Sequence, residues 1–209
     1  MIKTYKILSL LLSYPQKELK DFLQDCLILL RQEELLEDKQ MKGIQNFIDV
    51  FSKLELTEWQ AHYVQLFDYS RSVSLHLFEH VHGDSRDRGQ AMVDLIRFYE
   101  DDDLKWKTNE LPDYLPAFLE FISLSQSTQV AAEILSEPIT IIGKVHQKLQ
   151  EKENAYQYIF SAIISLSAKQ PEMDKVSSLT EAEKPMDLDK EYSEAPIRFG
   201  GDNGCATCH

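Results

Sequence analysis

Glycine and proline are scarce: seven of each stand in 209 residues, about half their usual combined share. Collagen-like, low-complexity and turn-dense all-β architectures are thereby excluded. Positive charge is short as well. Twenty-two Lys and Arg face 35 Asp and Glu, for a formal net charge of −13, and a chain so charged does not hold nucleic acid by neutralising phosphates. No nucleic-acid partner is expected. The three cysteines are Cys26, alone in an apolar helical pattern, and Cys205 with Cys208 at the far end. That is not the spacing of a disulfide framework, and a reducing, cytoplasmic location fits. No apolar run approaches the roughly 18 residues that span a bilayer, so direct membrane insertion is not expected. Lys3, Lys6 and the stretch Ile7 to Leu12 superficially resemble a secretory signal. The stretch is short, broken by Ser9, followed by Tyr14-Pro15 and without a small-x-small cleavage site, so an amphipathic first helix is expected instead.

What the sequence does hold is helical periodicity almost throughout. Ala155, Tyr158, Ile159, Ala162, Ile163 and Leu166 draw one stripe down a helix that Asn154 can cap. Met92, Leu95, Ile96 and Tyr99 draw another, with Asp84 as its cap and Asp87 favourable to the helix dipole. Helices are expected near 2–14, 17–36, 40–54, 57–67, 73–82, 85–101, 112–125, 127–135, 138–152 and 154–169, with Pro112, Pro116 and Pro138 at or near helix starts. No segment alternates like a strand. The expected fold is all-α, a single-domain bundle of about nine or ten helices over residues 1–169, long enough to bury roughly 70% of its unfolded surface. From 170 to 209 nine acidic residues face four basic ones without sustained periodicity, which describes an acidic, mobile tail. Within it Tyr192 to Gly200 forms an aromatic and apolar island.

Two short motifs carry possible chemistry. His76-Leu77-Phe78-Glu79-His80 fits the H-x-x-E-H pattern of zinc peptidases. On a helix Leu77, Phe78 and Val81 would share one arc, with His76, Glu79 and His80 opposite. A zinc-dependent hydrolase with Glu79 as general base is therefore the competing reading, although no third protein ligand is identifiable. The plainer one is a polar, partner-facing helix surface. Cys205-Ala206-Thr207-Cys208-His209 fits the C-x-x-C-H haem attachment pattern, but that chemistry requires export. An accessible dithiol or a chemically idle tail is the plainer expectation. No dinucleotide fingerprint, phosphate-binding lysine loop or nucleophile elbow is present, so no catalytic residue, metal site or cofactor of its own is expected. An acidic helical body can instead bind a basic amphipathic peptide in an apolar groove rimmed by carboxylates.

Tyr63-Val64-Gln65-Leu66-Phe67-Asp68, followed by Arg71 to Met92 with its core Leu75-His76-Leu77-Phe78-Glu79-His80-Val81-His82-Gly83-Asp84-Ser85-Arg86-Asp87-Arg88-Gly89, closely resembles the signature of NarJ-type nitrate reductase assembly chaperones. Glu110-Leu111-Pro112-Asp113-Tyr114-Leu115 is similar to the E-x-P-D-H-L hinge of the wider TorD-like family, with Tyr114 where His is usual. Tyr192 to Phe199 is similar to that family's W-x-E-x-P-V-x-F element, with Tyr in place of Trp. The resemblance implies a TorD-like helical fold and a cytoplasmic chaperone for respiratory nitrate reductase. It implies binding of the apo catalytic (alpha) subunit, including its N-terminal leader-like segment, while iron–sulfur clusters and molybdenum cofactor are inserted before membrane docking. Molybdenum cofactor biosynthesis proteins are further implied partners.

The client-binding candidates on this reading are Tyr63, Phe67, Leu75, His76, Phe78, Glu79, His80, Arg86, Arg88, Glu110, Asp113 and Tyr114. Each has a plainer competitor. Leu75, Leu77, Phe78 and Val81 at helical spacing equally describe core. Arg86, Asp87 and Arg88 equally describe a solvated helix start, and Glu110 and Asp113 equally describe caps.

Overall fold

The computed structural model describes residues 1–82, 87–100 and 110–172. Among these, ten α-helices follow one another and no strand forms. They are α1 (Lys3–Leu12), α2 (Lys17–Glu33), α3 (Asp38–Phe51), α4 (Leu56–Tyr63), α5 (Glu79–His82), α6 (Asp87–Glu100), α7 (Leu115–Ile122), α8 (Thr128–Leu135), α9 (Ile139–Glu151) and α10 (Gln157–Ser165). The all-α expectation is met. The expected cap Asp84, the residue Arg86, most of the acidic tail with its aromatic island, and the C-x-x-C-H motif lie outside the described residues.

The helices assemble through their apolar stripes. α1 buries Tyr5, Ile7, Leu8, Leu11 and Leu12, and it packs chiefly against α7 and α2. Its first turn is capped from a distance. Glu33, at the end of α2, accepts the Lys3 N–H at 2.9 Å and the Thr4 hydroxyl at 2.7 Å, which satisfies orphan donors of a helix that lacks a side-chain cap of its own. α3 and α10 cross closely at Gly43, where an added Cβ would lie 3.1 Å from the Tyr158 ring. At the centre an aromatic group of Phe47, Phe51, Trp59, Tyr63, Phe67 and Tyr156 packs ring on ring. The Trp59 indole donates to the Tyr156 hydroxyl at 2.9 Å, so both polar tips are satisfied in the core. Cys26 is fully buried, and burial, with Asp25 adding to it, pushes its thiol up to about 11, which leaves it unreactive.

Several helices differ from their expected spans for identifiable reasons. α2 stops at Glu33 because Glu34 takes a left-handed φ of 54°. The 154–169 helix is tighter, 157–165, so the position before it falls to Tyr156, without a side-chain cap, and Asn154 instead closes the preceding turn by accepting the Tyr156 N–H at 3.1 Å. α7 begins at Leu115, after a turn containing Pro112, with Pro116 in its first turn. α4 passes at Val64–Asp68 into a π-helical turn, a deviation that frequently accompanies functional sites. It leaves Tyr63 and Phe67 buried together, ring centroids 4.9 Å apart. The largest departure is the expected helix 73–82. Arg71–Val73 is a single 3₁₀ turn, and α5 begins only at Glu79.

Candidate functional site

Between that 3₁₀ turn and α5 the chain is not helical: it bends at Leu75, forms an isolated antiparallel bridge between His76 and Tyr114, and turns at Leu77–Phe78. The Leu115 N–H donates to the Leu75 carbonyl at 2.8 Å and the Leu77 N–H to the Asp113 carbonyl at 3.0 Å. Tertiary hydrogen bonds thus replace the helical ones that apolar spacing alone favours. Ser74 reinforces the geometry: its hydroxyl accepts the His76 N–H at 3.2 Å, and its carbonyl accepts from His80 Nε2 at 2.9 Å. His76 and His80 consequently do not share a helix face, and each ring is held by a protein acceptor. The arrangement on which the zinc-hydrolase reading depended is not formed. Among the described residues no group of three His, Cys, Asp or Glu side chains is placed to hold a metal ion.

Asp113 organises the site. Its carboxylate is fully buried. Oδ2 accepts the Phe78 N–H at 3.0 Å, and Oδ1 accepts from His76 Nδ1 at 3.2 Å. Arg88 of α6 brings Nη2 to 3.8 Å from Asp113 Oδ2 and 3.4 Å from Glu79 Oε1. One internal carboxylate therefore ties together the 76–79 segment, α6 and the loop before α7. The hydrogen bond to Asp113 raises the His76 pKa. Burial opposes the shift, the charges of Asp113 and Glu79 support it, and Arg88 opposes it.

A second network runs behind the bridge. Tyr63 donates to the Leu12 carbonyl at 2.9 Å, so the 3.0 Å contact between the Tyr63 and Tyr114 hydroxyls is a bond donated by Tyr114. Burial raises both phenols above their ordinary range, and both stay protonated. Tyr114, standing where the resemblance implies His, lays its ring 5.3 Å from that of His76. Tyr99 of α6 donates to the Pro112 carbonyl at 2.7 Å.

The candidates sort by exposure. Tyr63, Phe67, Leu75 and Asp113 are buried, as is Leu77; Leu75 and Leu77 belong to the core and do not line a groove. Asp113 is no rim carboxylate: the acceptor expected there is an internal tie. His76, Phe78, Glu79, His80, Arg88 and Tyr114 are partly exposed, and Glu110 is exposed. Around the buried Asp113, His76, Phe78, Glu79, Arg88 and Tyr114 form a ledge of rings and charged groups, while His80 is held on the Ser74 carbonyl and the charge of Glu110 acts on Tyr114. Ser74, Tyr99 and the carbonyls of Leu12 and Pro112 were not expected to take part. A buried serine and backbone oxygens leave no pattern in a sequence.

Residues 32–160 match the family model described as the nitrate reductase delta subunit. The chain is 34% identical over 203 residues to NarJ of Escherichia coli K12, a nitrate reductase molybdenum cofactor assembly chaperone, covering 95% of this chain and 86% of that protein. It is also 34% identical over 205 residues to NarW of the same organism, described as a probable nitrate reductase molybdenum cofactor assembly chaperone, covering 96% and 85%. A crystal structure from Archaeoglobus fulgidus, described as that of a putative redox enzyme maturation protein, superposes with a TM-score of 0.55 at 20% identity, covering 76% of this chain and 88% of that one, and bears on the fold alone.

Proposed function

The chain belongs to the nitrate reductase delta subunit family, and from that premise we propose that it is a cytoplasmic, system-specific chaperone for the assembly of respiratory nitrate reductase. It binds the apo catalytic subunit, including the leader-like N-terminal segment, and holds it for iron–sulfur cluster and molybdenum cofactor insertion before membrane docking. Its matched relatives are assembly chaperones, not catalysts, and no helix among the described residues is long and apolar enough to cross a membrane.

The observation that carries the peptide-binding part is the ledge over Asp113. Phe78, His76 and Tyr114 are partly exposed, His76 lies in the field of Glu79 and Tyr114 in that of Glu110, and such a surface suits a helix with one apolar and one basic face. Molybdenum cofactor biosynthesis proteins are the further partners of this reading. A tagged chain recovered from cells grown anaerobically with nitrate should carry a nitrate reductase catalytic subunit as its dominant partner. A different dominant client, recovered reproducibly, would overturn the assignment.

A further inference from the structure

The rings of the ledge continue beyond it. The Tyr114 hydroxyl bonds to that of Tyr63 at 3.0 Å, and Tyr14, which follows α1, sets its ring edge-on to Tyr63 with centroids 5.6 Å apart and 44% of the residue exposed. In the other direction the Tyr114 ring lies 5.3 Å from that of His76, the Phe78 N–H shares Asp113 with His76, and the Phe78 ring lies 5.7 Å from that of His82. A connected row of rings thus runs from Tyr14 through Tyr63, Tyr114, His76 and Phe78 to His82. Of these only Tyr63 is buried.

The two ends of the row differ in charge. At the Tyr14 end the π-helical turn Val64–Asp68 sets Phe67 against the Tyr63 ring, 4.9 Å between centroids, and its last residue, Asp68, is exposed. Tyr69 beside it keeps 83% of its surface in solvent. Glu110, also exposed, adjoins the turn that the Tyr114 N–H closes on the Leu111 carbonyl at 3.1 Å. The negative field of Asp68 reaches both Tyr63 and Tyr114, and that of Glu110 reaches Tyr114. Arg71, the next basic residue along the chain, sits on the 3₁₀ turn that packs on α9. At the Phe78 end the negative charge is answered within the chain. Arg88 stands beside Glu79 and Asp113, His76 bonds to Asp113, and His80 and His82 occupy the last turn of α5. The row is acidic at one end and balanced at the other.

An α-helix carries about half a positive charge at its N-terminus and half a negative one at its C-terminus, and a segment that begins a chain adds its α-amino group to the positive end. A helix laid along the row is therefore more stable in one direction than in the other. We propose that the client helix lies along this row with fixed polarity, its N-terminal turn at Tyr14, Asp68 and Tyr69 and its C-terminal turn at Phe78 and His82. This rests on the peptide-binding reading above and extends that surface to Tyr14, Asp68 and Tyr69. It also fixes where the rest of the client leaves. The chain that follows the leader departs at the α5 end, while the leader's own terminus stays against the body.

The test uses the full chain and a synthetic N-terminal segment of a nitrate reductase catalytic subunit, with photoreactive benzoylphenylalanine in its first or its last turn. Mass spectrometry locates the cross-links. The first-turn probe should attach at Tyr14 or within 66–69, and the last-turn probe within 78–82. Affinity gives a second readout. Acetylating the peptide's α-amine should weaken binding to wild type about two- to fivefold, the size of a terminal charge interaction. Asp68→Asn should weaken the free-amine peptide by a similar factor and the acetylated peptide less. Reversed attachment, or both probes found at both ends, overturns the fixed polarity and leaves the peptide-binding reading standing. An acetylation effect untouched by Asp68→Asn does the same. Cross-links away from the row altogether, or no binding by the folded chain, overturn both.

Discussion

Asp113 shows what a single residue decides in this chain. Its carboxylate accepts from the Phe78 backbone and from His76 while fully buried, so Asp113→Asn keeps the shape but removes the charge that holds three segments. The expected loss is about 2–4 kcal/mol in denaturant unfolding, the range for bonds to buried charged groups. The raised pKa of His76 has a definite consequence for pH. Stability from the His76–Asp113 contact is fully present below the unfolded-state value of about 6.5 and is lost as pH rises through the higher folded-state value. Unfolding measured across that window should flatten in Asp113→Asn, and the His76 ring resonances should titrate nearer the ordinary value. An unchanged titration would assign the shift to another group. Glu33 has the opposite sign. Burial works to raise its pKa, but the hydrogen bonds from the Thr4 hydroxyl and N–H and from Lys3 hold it below the usual carboxylate range. Its contribution is present above about pH 4.3 and is lost as pH falls through the lower folded-state value. Glu33→Gln should therefore remove part of the acid-side slope of unfolding while leaving the neutral and alkaline sides parallel to wild type.

Among the elements, the helices with the strongest stripes were the most readable. α10 buries Ile159, Ala162 and Ile163 of its stripe where the spacing places them, because local propensity and burial agree there, although Asn154 bonds in the turn before the helix and does not cap it. The 73–82 segment departs from its expected helix because its apolar spacing points to helix, whereas Leu75 and Leu77 bond through their backbones to Leu115 and Asp113, far along the chain. No local pattern encodes a partner that distant. For the same reason the candidate residues of the ledge were legible as types, but Asp113 reads in the sequence as a client contact or a cap and not as a buried tie. Gly43 shows a further nonlocal constraint, since α3 approaches α10 there with Tyr158 against the vacant Cβ position. Gly43→Ala sets a gain in helix propensity of about 1 kcal/mol against a 3.1 Å contact, and should come out near neutral if the partly exposed Tyr158 shifts. Gly43→Val adds branches that the ring cannot clear by a small shift, and should cost about 1–3 kcal/mol by overpacking. Denaturant unfolding of both variants checks the ordering. A neutral valine would show that the two helices separate more easily than the ring contact implies.

At the scale of the whole molecule the dominant property is the net charge of −13. A field of that sign draws a basic segment in from a distance but adds little once contact is made, because exposed ion pairs contribute only about 0–1 kcal/mol each. Affinity for a client peptide should come mainly from apolar burial, at about 25 cal/mol per Å² before ordering costs. Raising salt should therefore weaken binding moderately, chiefly by slowing association, with dissociation little changed. The charge reversals suited to testing this are Glu79→Lys and Glu110→Lys, since reversing the buried Asp113 would disrupt the fold rather than the encounter. Glu110→Lys should slow association and leave dissociation near wild type. Glu79→Lys should also speed dissociation, because it breaks the tie to Arg88 that holds the ledge together. Phe78→Ala should act on dissociation alone if its half-covered ring contacts the client. Stopped-flow measurements at low and high ionic strength separate these effects. Association rates indifferent to both salt and the Glu110 reversal would show that the client reaches the chain without electrostatic guidance and through a surface away from the ledge.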